Sequence, residues 1–196
     1  MKKIVLFLLV VLCCIGTAQA QKALLSLDGN YRTKLENFGI GTQIMIPVYK
    51  KFYIAPGINY YFEKEYKIDT GWIRSSTKAK ILNYGLDIHH VFYLKDIQSF
   101  VSPFIGVEGL TSWAKTKGGS YVGVPMLPQG GSGTKWEEFG SDEWHRGFGV
   151  FANIGIAGKW SLGNNFLFNT QVKYSIVFYD MDFNHFVFTT GIGYVF

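Results

Sequence analysis

The sequence predicts an all-β chain in which eight antiparallel strands run up and down and close into a transmembrane barrel with a filled lumen. Three observations predict it. Hydrophobicity alternates with a period of two along most of the chain, connections alternate between tight and long, and aromatic side chains crowd one face of the alternation. A hydrophobic content of 48%, with 17% of residues aromatic, excludes a disordered chain, and 196 residues make one domain of moderate size.

Residues 1–20, MKKIVLFLLVVLCCIGTAQA, read as a cleaved secretory signal: Lys2 and Lys3, an unbroken apolar run from Ile4 to Ile15, then small Ala18 and Ala20 before the cut. The run is shorter than the roughly 20 residues an α-helix needs to cross a bilayer, so an anchor is the poorer reading. Neither Cys13 nor Cys14 follows the small residue a lipidated cysteine requires. Both leave with the signal, and the barrel domain, 21–196, forms no disulfide. Losing Lys2 and Lys3 lowers the formal charge of +5, and no basic cluster interleaves with aromatics, so no nucleic-acid partner is expected.

Strands are expected at about 22–32, 36–48, 52–63, 77–94, 100–114, 145–160, 165–179 and 184–196. In the third, Phe52, Ile54, Ile58, Tyr60 and Phe62 oppose Ala55, Gly57, Asn59 and Glu63. The sixth sets Phe148, Val150, Ile154, Ile156 and Trp160 against Gly149, Asn153, Ala157 and Lys159. The seventh, FLFNTQVKYSIVFYD, sets Phe166, Phe168, Val172, Tyr174, Ile176 and Phe178 against Asn169, Gln171, Lys173 and Ser175. The last, HFVFTTGIGYVF, carries Phe186, Phe188, Ile192, Tyr194 and Phe196 on one face.

The segments 48–51, 95–99 and 161–165 are tight turns, whereas 64–76 and 115–144 are expected to be long polar or Gly-rich loops. Up-and-down strands put the tight turns at the end holding both termini and the long loops at the other. That is the asymmetry of an outer-membrane barrel, with short periplasmic turns and longer external loops. An eight-stranded barrel is only just wide enough for ordinary side chains, so this many rings cannot all point inward. They face lipid, gathered toward the strand ends as two girdles, and the opposite face, rich in Gly, Ala, Ser, Asn and Gln, fills the lumen.

On these residues the chain resembles the small outer-membrane β-barrel proteins, the OmpA membrane domain and OmpX among them, and within that group the outer-membrane β-barrel domain family that includes PorT-like proteins. The most specific match is the final strand: Phe196, Tyr194, Ile192 and Phe188 fit the pattern, and Thr190 departs mildly. The resemblance implies eight strands, export through the periplasm to the outer membrane, and a last strand read by the barrel-assembly machinery. It implies no single activity.

Asp28, Arg32, Glu63, Asp87, His89, Glu108, Lys159 and Lys173 fall on the lumenal face. Asp28, Asp87, Glu108 and Lys173 sit mid-strand, where burial demands partners, so they are expected to form a polar network that plugs the barrel. The 115–144 loop is far longer than closure needs, and reads either as an inert lid or as a partner-binding loop for which Tyr121, Met126, Leu127, Trp136 and Phe139 offer an apolar contact set. Glu137, Glu138, Asp142, Glu143, Asp180 and Asp182 read as solvated carboxylates, with binding of divalent cations at the lipopolysaccharide surface as the alternative. His145 with Asp142, or His185 with Asp182, lacks a placed nucleophile, so no catalytic site is expected; no metal or cofactor site is expected either. The expected function is a monomeric outer-membrane surface or scaffold component contacting lipid, lipopolysaccharide and an external partner. An enzyme acting on lipid A or peptides, and a conduit for small apolar molecules, are the alternatives.

Overall fold

The computed structural model describes residues 23–70, 73–94, 99–124, 133–140, 143–178 and 184–196; the expected signal lies outside them. The strands are β1 (Leu24–Arg32), β2 (Asn37–Tyr49), β3 (Phe52–Asp69), β4 (Ile73–His90), β5 (Phe92–Tyr93), β6 (Phe100–Val124), β7 (Gly133–Gly140), β8 (His145–Gly163), β9 (Phe166–Val177) and β10 (His185–Val195). Hydrogen bonding runs β4-β3-β2-β1-β10-β9-β8-β6, and β6 pairs back onto β4, so eight strands close on themselves. Closure satisfies the backbone groups that an open sheet edge would present to lipid. First and last strands seal antiparallel, from Leu24↔Val195 to Arg32↔Val187.

The turns at the terminal end follow from local chemistry. Between β8 and β9, Asn164 and Asn165 take φ of 47° and 69°, left-handed values that Asn tolerates and that match the twist of a two-residue hairpin. Gly163, at φ 89°, precedes them where the register shifts by a bulge. Lys50, at φ 46°, turns β2 into β3. At the opposite end of β1, the Glu36 amide donates to the Thr33 carbonyl at 3.2 Å and closes the short 33–36 turn.

Two compact units divide the chain, one comprising the chain through Tyr61, Leu82–Leu110 and Gly149–Phe196, the other Phe62–Ile81 and Thr111–Phe148. In the first, the long strands alternate more and less buried residues, β1, β9 and β10 most regularly. The exposed residues of its strands are mostly apolar: Leu27 is 70% exposed, and Ile40, Ile88, Ile105, Ile154 and Ile192 are exposed as well. The rings Phe38, Phe52, Tyr60, Phe92, Phe166, Phe168, Phe188 and Phe196 share that face, while Tyr174 is half-buried. A soluble monomer rarely exposes apolar patches beyond a few hundred Å². A belt of this kind requires hydrocarbon as its solvent. At the terminal end, Phe166, Tyr194 and Phe196 meet edge to face, and His90 bridges Phe52 and Phe92.

The interior corrects one expectation, since the lumen is not filled by small and hydrogen-bonding side chains alone. Leu24, Met45, Tyr53, Ala55, Val91 and Leu167 form a buried apolar cluster, and Tyr61, Phe104 and Phe151 also point inward. Alternation assigns a face but not a depth, so it does not separate the apolar layer from the polar ones. Glycines make room for the rings. A Cβ on Gly155 would stand 2.5 Å from the Phe104 ring and 2.5 Å from the Val172 carbonyl oxygen. Gly155→Val is therefore expected to destabilise the barrel by about 1–3 kcal/mol, the usual penalty of overpacking, measured as a lowered urea midpoint in detergent; an unshifted midpoint would mean that Phe104 swings aside freely.

The two long loops are also corrected. Across 64–76, β3 continues to Asp69 and β4 starts at Ile73; across 115–144, β6 continues to Val124 and β7 returns from Gly133 to Gly140. Both are hairpin arms. They escape a sequence reading because pairing persists there without the alternation that betrays a half-buried strand: 67–69 and 137–140 are exposed without a break. β3, β4, β6 and β8 run to 18, 18, 25 and 19 residues, well beyond the roughly 9–11 needed to cross a bilayer.

Candidate functional site

Two places concentrate polar chemistry, one in each unit. In the barrel, β6 carries Glu108 inward and β9 carries Lys173 to meet it. Their side chains are 3% and 6% exposed, and the ammonium stands 2.7 Å from Glu108 Oε2. Asn153 Nδ2 donates to the same oxygen at 3.1 Å, and Asn83 Nδ2 donates to Oε1 at 2.7 Å. Ser175 Oγ in turn donates to Asn153 Oδ1 at 2.9 Å. Three strands, β4, β8 and β9, thus supply donors to one buried carboxylate on β6, the condition under which a buried ion pair is tolerated.

Asp28 belongs to a second cluster. Ser26 Oγ and Asn169 Nδ2 donate to its two oxygens at 2.6 and 2.7 Å, and Lys159 Nζ reaches Asn169 Oδ1 at 2.7 Å, so the amide relays between opposite charges. Asp87 accepts from Gln43 Nε2 at 3.2 Å. His89 lies between Ser102, at 3.1 Å, and the stacked Phe104 ring. Arg32 is buried with its guanidinium 4.1 Å from the centre of the Tyr61 ring. The expected lumenal residues Asp28, Asp87, Glu108 and Lys173 are all buried, but only Glu108 and Lys173 pair directly.

Glu63 is a correction. It is exposed and lies 3.9 Å from Lys78, in the second unit, because period-two alternation fixes a face of the strand but not what that face meets. Sequence reasoning also missed the amides Gln43, Asn83, Asn153 and Asn169 as network members. Their one signal was to share a strand face with the charges. Among Asp28, Gln43, Asp87, Glu108, Gln171 and Lys173 the free space is about 30 Å³, on the scale of a water or two.

In the second unit, an open cleft of about 640 Å³ is lined by Lys67, Ile68 and Asp69 of β3, Arg74, Ser75 and Ser76 of β4, Lys117 and Gly118 of β6, and Glu138, Phe139 and Gly140 of β7. Arg74 pairs with Asp69 at 3.2 Å and Lys67 with Glu65 at 3.5 Å. The Ser76 hydroxyl donates to Glu65 at 2.5 Å, and that bond, followed by the Lys67 and Lys78 charges, holds the Glu65 carboxyl below its ordinary range. Of the expected contact set, Phe139 is exposed in this cleft, and Tyr121 and Trp136 are register partners in the β6–β7 hairpin. Met126 and Leu127 lie outside the described residues, as do Asp142, Asp180 and Asp182. His185 is buried against the Phe151 ring, while His145 is exposed. Among the described residues, no group of three or more His, Cys, Asp or Glu is placed to hold a metal ion.

On β10, Phe188, Ile192 and Tyr194 stand on the lipid-exposed face, and Phe196 directly after the strand continues it. No family model and no curated protein matches the sequence. Solved structures do. The N-terminal β-barrel domain of Pseudomonas aeruginosa OprF superposes with a TM-score of 0.51 at 14% identity, covering 90% of this chain and 98% of that one. Yersinia pestis outer membrane protein Ail, in a phospholipid bilayer nanodisc, gives 0.50 at 12% identity over 90% and 99%. A major outer membrane protein of Thermus thermophilus gives 0.54 at 11% identity over 90% and 100%. At such identities the likeness is one of fold. Together with the closed strand order and the apolar outer belt, it gives this chain the fold of an eight-stranded transmembrane β-barrel, the fold those outer-membrane proteins share.

Proposed function

We propose that the protein is a surface component of the outer membrane whose plugged barrel serves as the anchor and whose long hairpins bind an extended segment of an extracellular partner by strand addition. The observation that supports this reading is β7. Among the described residues it pairs with β6 alone, so its second edge presents backbone donors and acceptors, the template on which extended peptides add. The neighbouring cleft offers Phe139 and Ile68 for apolar side chains and Lys117 with Glu138 for charged ones.

Against a conduit stands the lumen, whose free space of about 30 Å³ at the charged layer is far too small for an organic solute. A photo-crosslinking amino acid at Glu138 tests the binding reading on intact cells. A discrete adduct is expected, lost when Glu137→Pro disrupts β7 while the barrel keeps its heat-modifiable migration on gels. Absence of any adduct, or an adduct that persists with the proline, would refute strand addition.

A further inference from the structure

Most cations on the β3–β4 hairpin have a carboxylate: Lys67 has Glu65, Arg74 has Asp69 and Lys78 has Glu63. Lys80 on β4 and Lys115 on β6 instead both turn to Trp144, the residue before β8, with their ammonium nitrogens 4.7 and 5.3 Å from its ring centre. Neither pairs with a carboxylate among the described residues. Lys80 and Lys115 come from paired strands, and Trp144 directly precedes β8, which also pairs with β6. Each cation gains from the ring quadrupole, yet two like charges drawn to one ring lie within about 10 Å of each other and repel. An anion between or beside them relieves that repulsion.

The surroundings indicate which anion. Four residues after Trp144, in β8, Phe148 is 69% exposed, and Phe62 of the same unit is 46% exposed. Exposed rings of this kind mark hydrocarbon, and Trp144, itself 36% exposed, is the side chain that prefers the boundary between hydrocarbon and water. Four residues of strand span about 13 Å, which takes the chain from acyl chains to the headgroup layer. Lysines there extend their apolar stems along the wall and hold their charge at headgroup level.

We propose that Lys80, Lys115 and Trp144 form a binding site for the phosphorylated headgroup of an outer-leaflet glycolipid, the two ammonium groups contacting phosphate and the indole lying against the sugar. The site rests on the membrane reading of the barrel but not on strand addition at β7.

Native mass spectrometry of the barrel released from detergent, after mixing with bis-phosphorylated lipid A or with its dephosphorylated form, tests the site. Wild type is expected to retain one phosphorylated lipid A and little of the dephosphorylated lipid, whereas the Lys80→Gln/Lys115→Gln double variant loses that preference. Lys80→Arg/Lys115→Arg should restore it. Heat-modifiable migration of each variant reports folding separately, so a barrel that never folds in detergent indicts the membrane reading and leaves a distinct signature. Equal retention of both lipids by wild type, or retention unchanged in the glutamine variant, would overturn the site. Competition by free glucose 1-phosphate at matched concentration, with no benefit from the acyl chains, would identify a soluble sugar phosphate and overturn the lipid assignment.

Discussion

Lys173→Met is expected to destabilise the barrel by about 3–5 kcal/mol, the penalty for removing one member of a buried ion pair and leaving the other charge uncompensated. Glu108 would keep its amide donors Asn83 and Asn153 but lose the charge at 2.7 Å. The measurement is urea unfolding in detergent, read as loss of the folded band on an unheated gel. A second variant separates charge from packing. Lys173→Met combined with Glu108→Leu removes both charges, and replacing a buried pair by apolar groups of similar volume is often neutral or stabilising. Its midpoint should return toward wild type. If Lys173→Met alone leaves the transition where it was, the pair contributes nothing and the plug is held by other contacts.

Phe196→Ala is expected to reduce the folded barrel that accumulates in cells several-fold while changing the unfolding midpoint of the purified protein little. The ring is 65% exposed on the lipid face and touches only Tyr194 among aromatic neighbours described, at 5.2 Å. Its backbone amide, which donates to the Ala23 carbonyl at 3.0 Å, survives the substitution. Truncating a lipid-facing ring therefore removes little that holds the folded state together. What it removes is part of the outer face of the terminal strand that the assembly machinery is expected to read. Phe186→Ala is the control, since Phe186 is on the same face but at the other end of β10, 47% exposed and packed on Tyr174. Equal losses for the two variants would sink the recognition role of the terminus.

The elements read most easily from the sequence are those with two different solvents on their two faces. β9 separates hydrocarbon at Phe166, Phe168, Val172 and Ile176 from the polar lumen at Asn169, Gln171, Lys173 and Ser175, and it spans Phe166–Val177 as expected for 165–179. β7 is the converse. Residues 137–140 are all exposed, so GTKWEEFG carries no period and reads as loop. Glu63 reads as inward for a related reason, because the phase of β3 fixes which side of the strand it occupies but not whether that side is buried. The charged lumenal residues are legible because ionisable groups opposite a lipid-facing ring stand out. Gln43, Asn83, Asn153 and Asn169 are not, since amides are common everywhere in the chain.

The sequence by itself determined the two-faced strands, their number, their up-and-down order and which face meets lipid, because side-chain alternation is a local property of an extended backbone. Tertiary structure alone decided who meets whom. Glu108 finds Lys173 across 65 positions of sequence while Asp28 reaches Lys159 only through Asn169, and Lys80 joins Lys115 on Trp144. Those contacts depend on the tilt and stagger with which the strands close, and these are set by all eight registers at once.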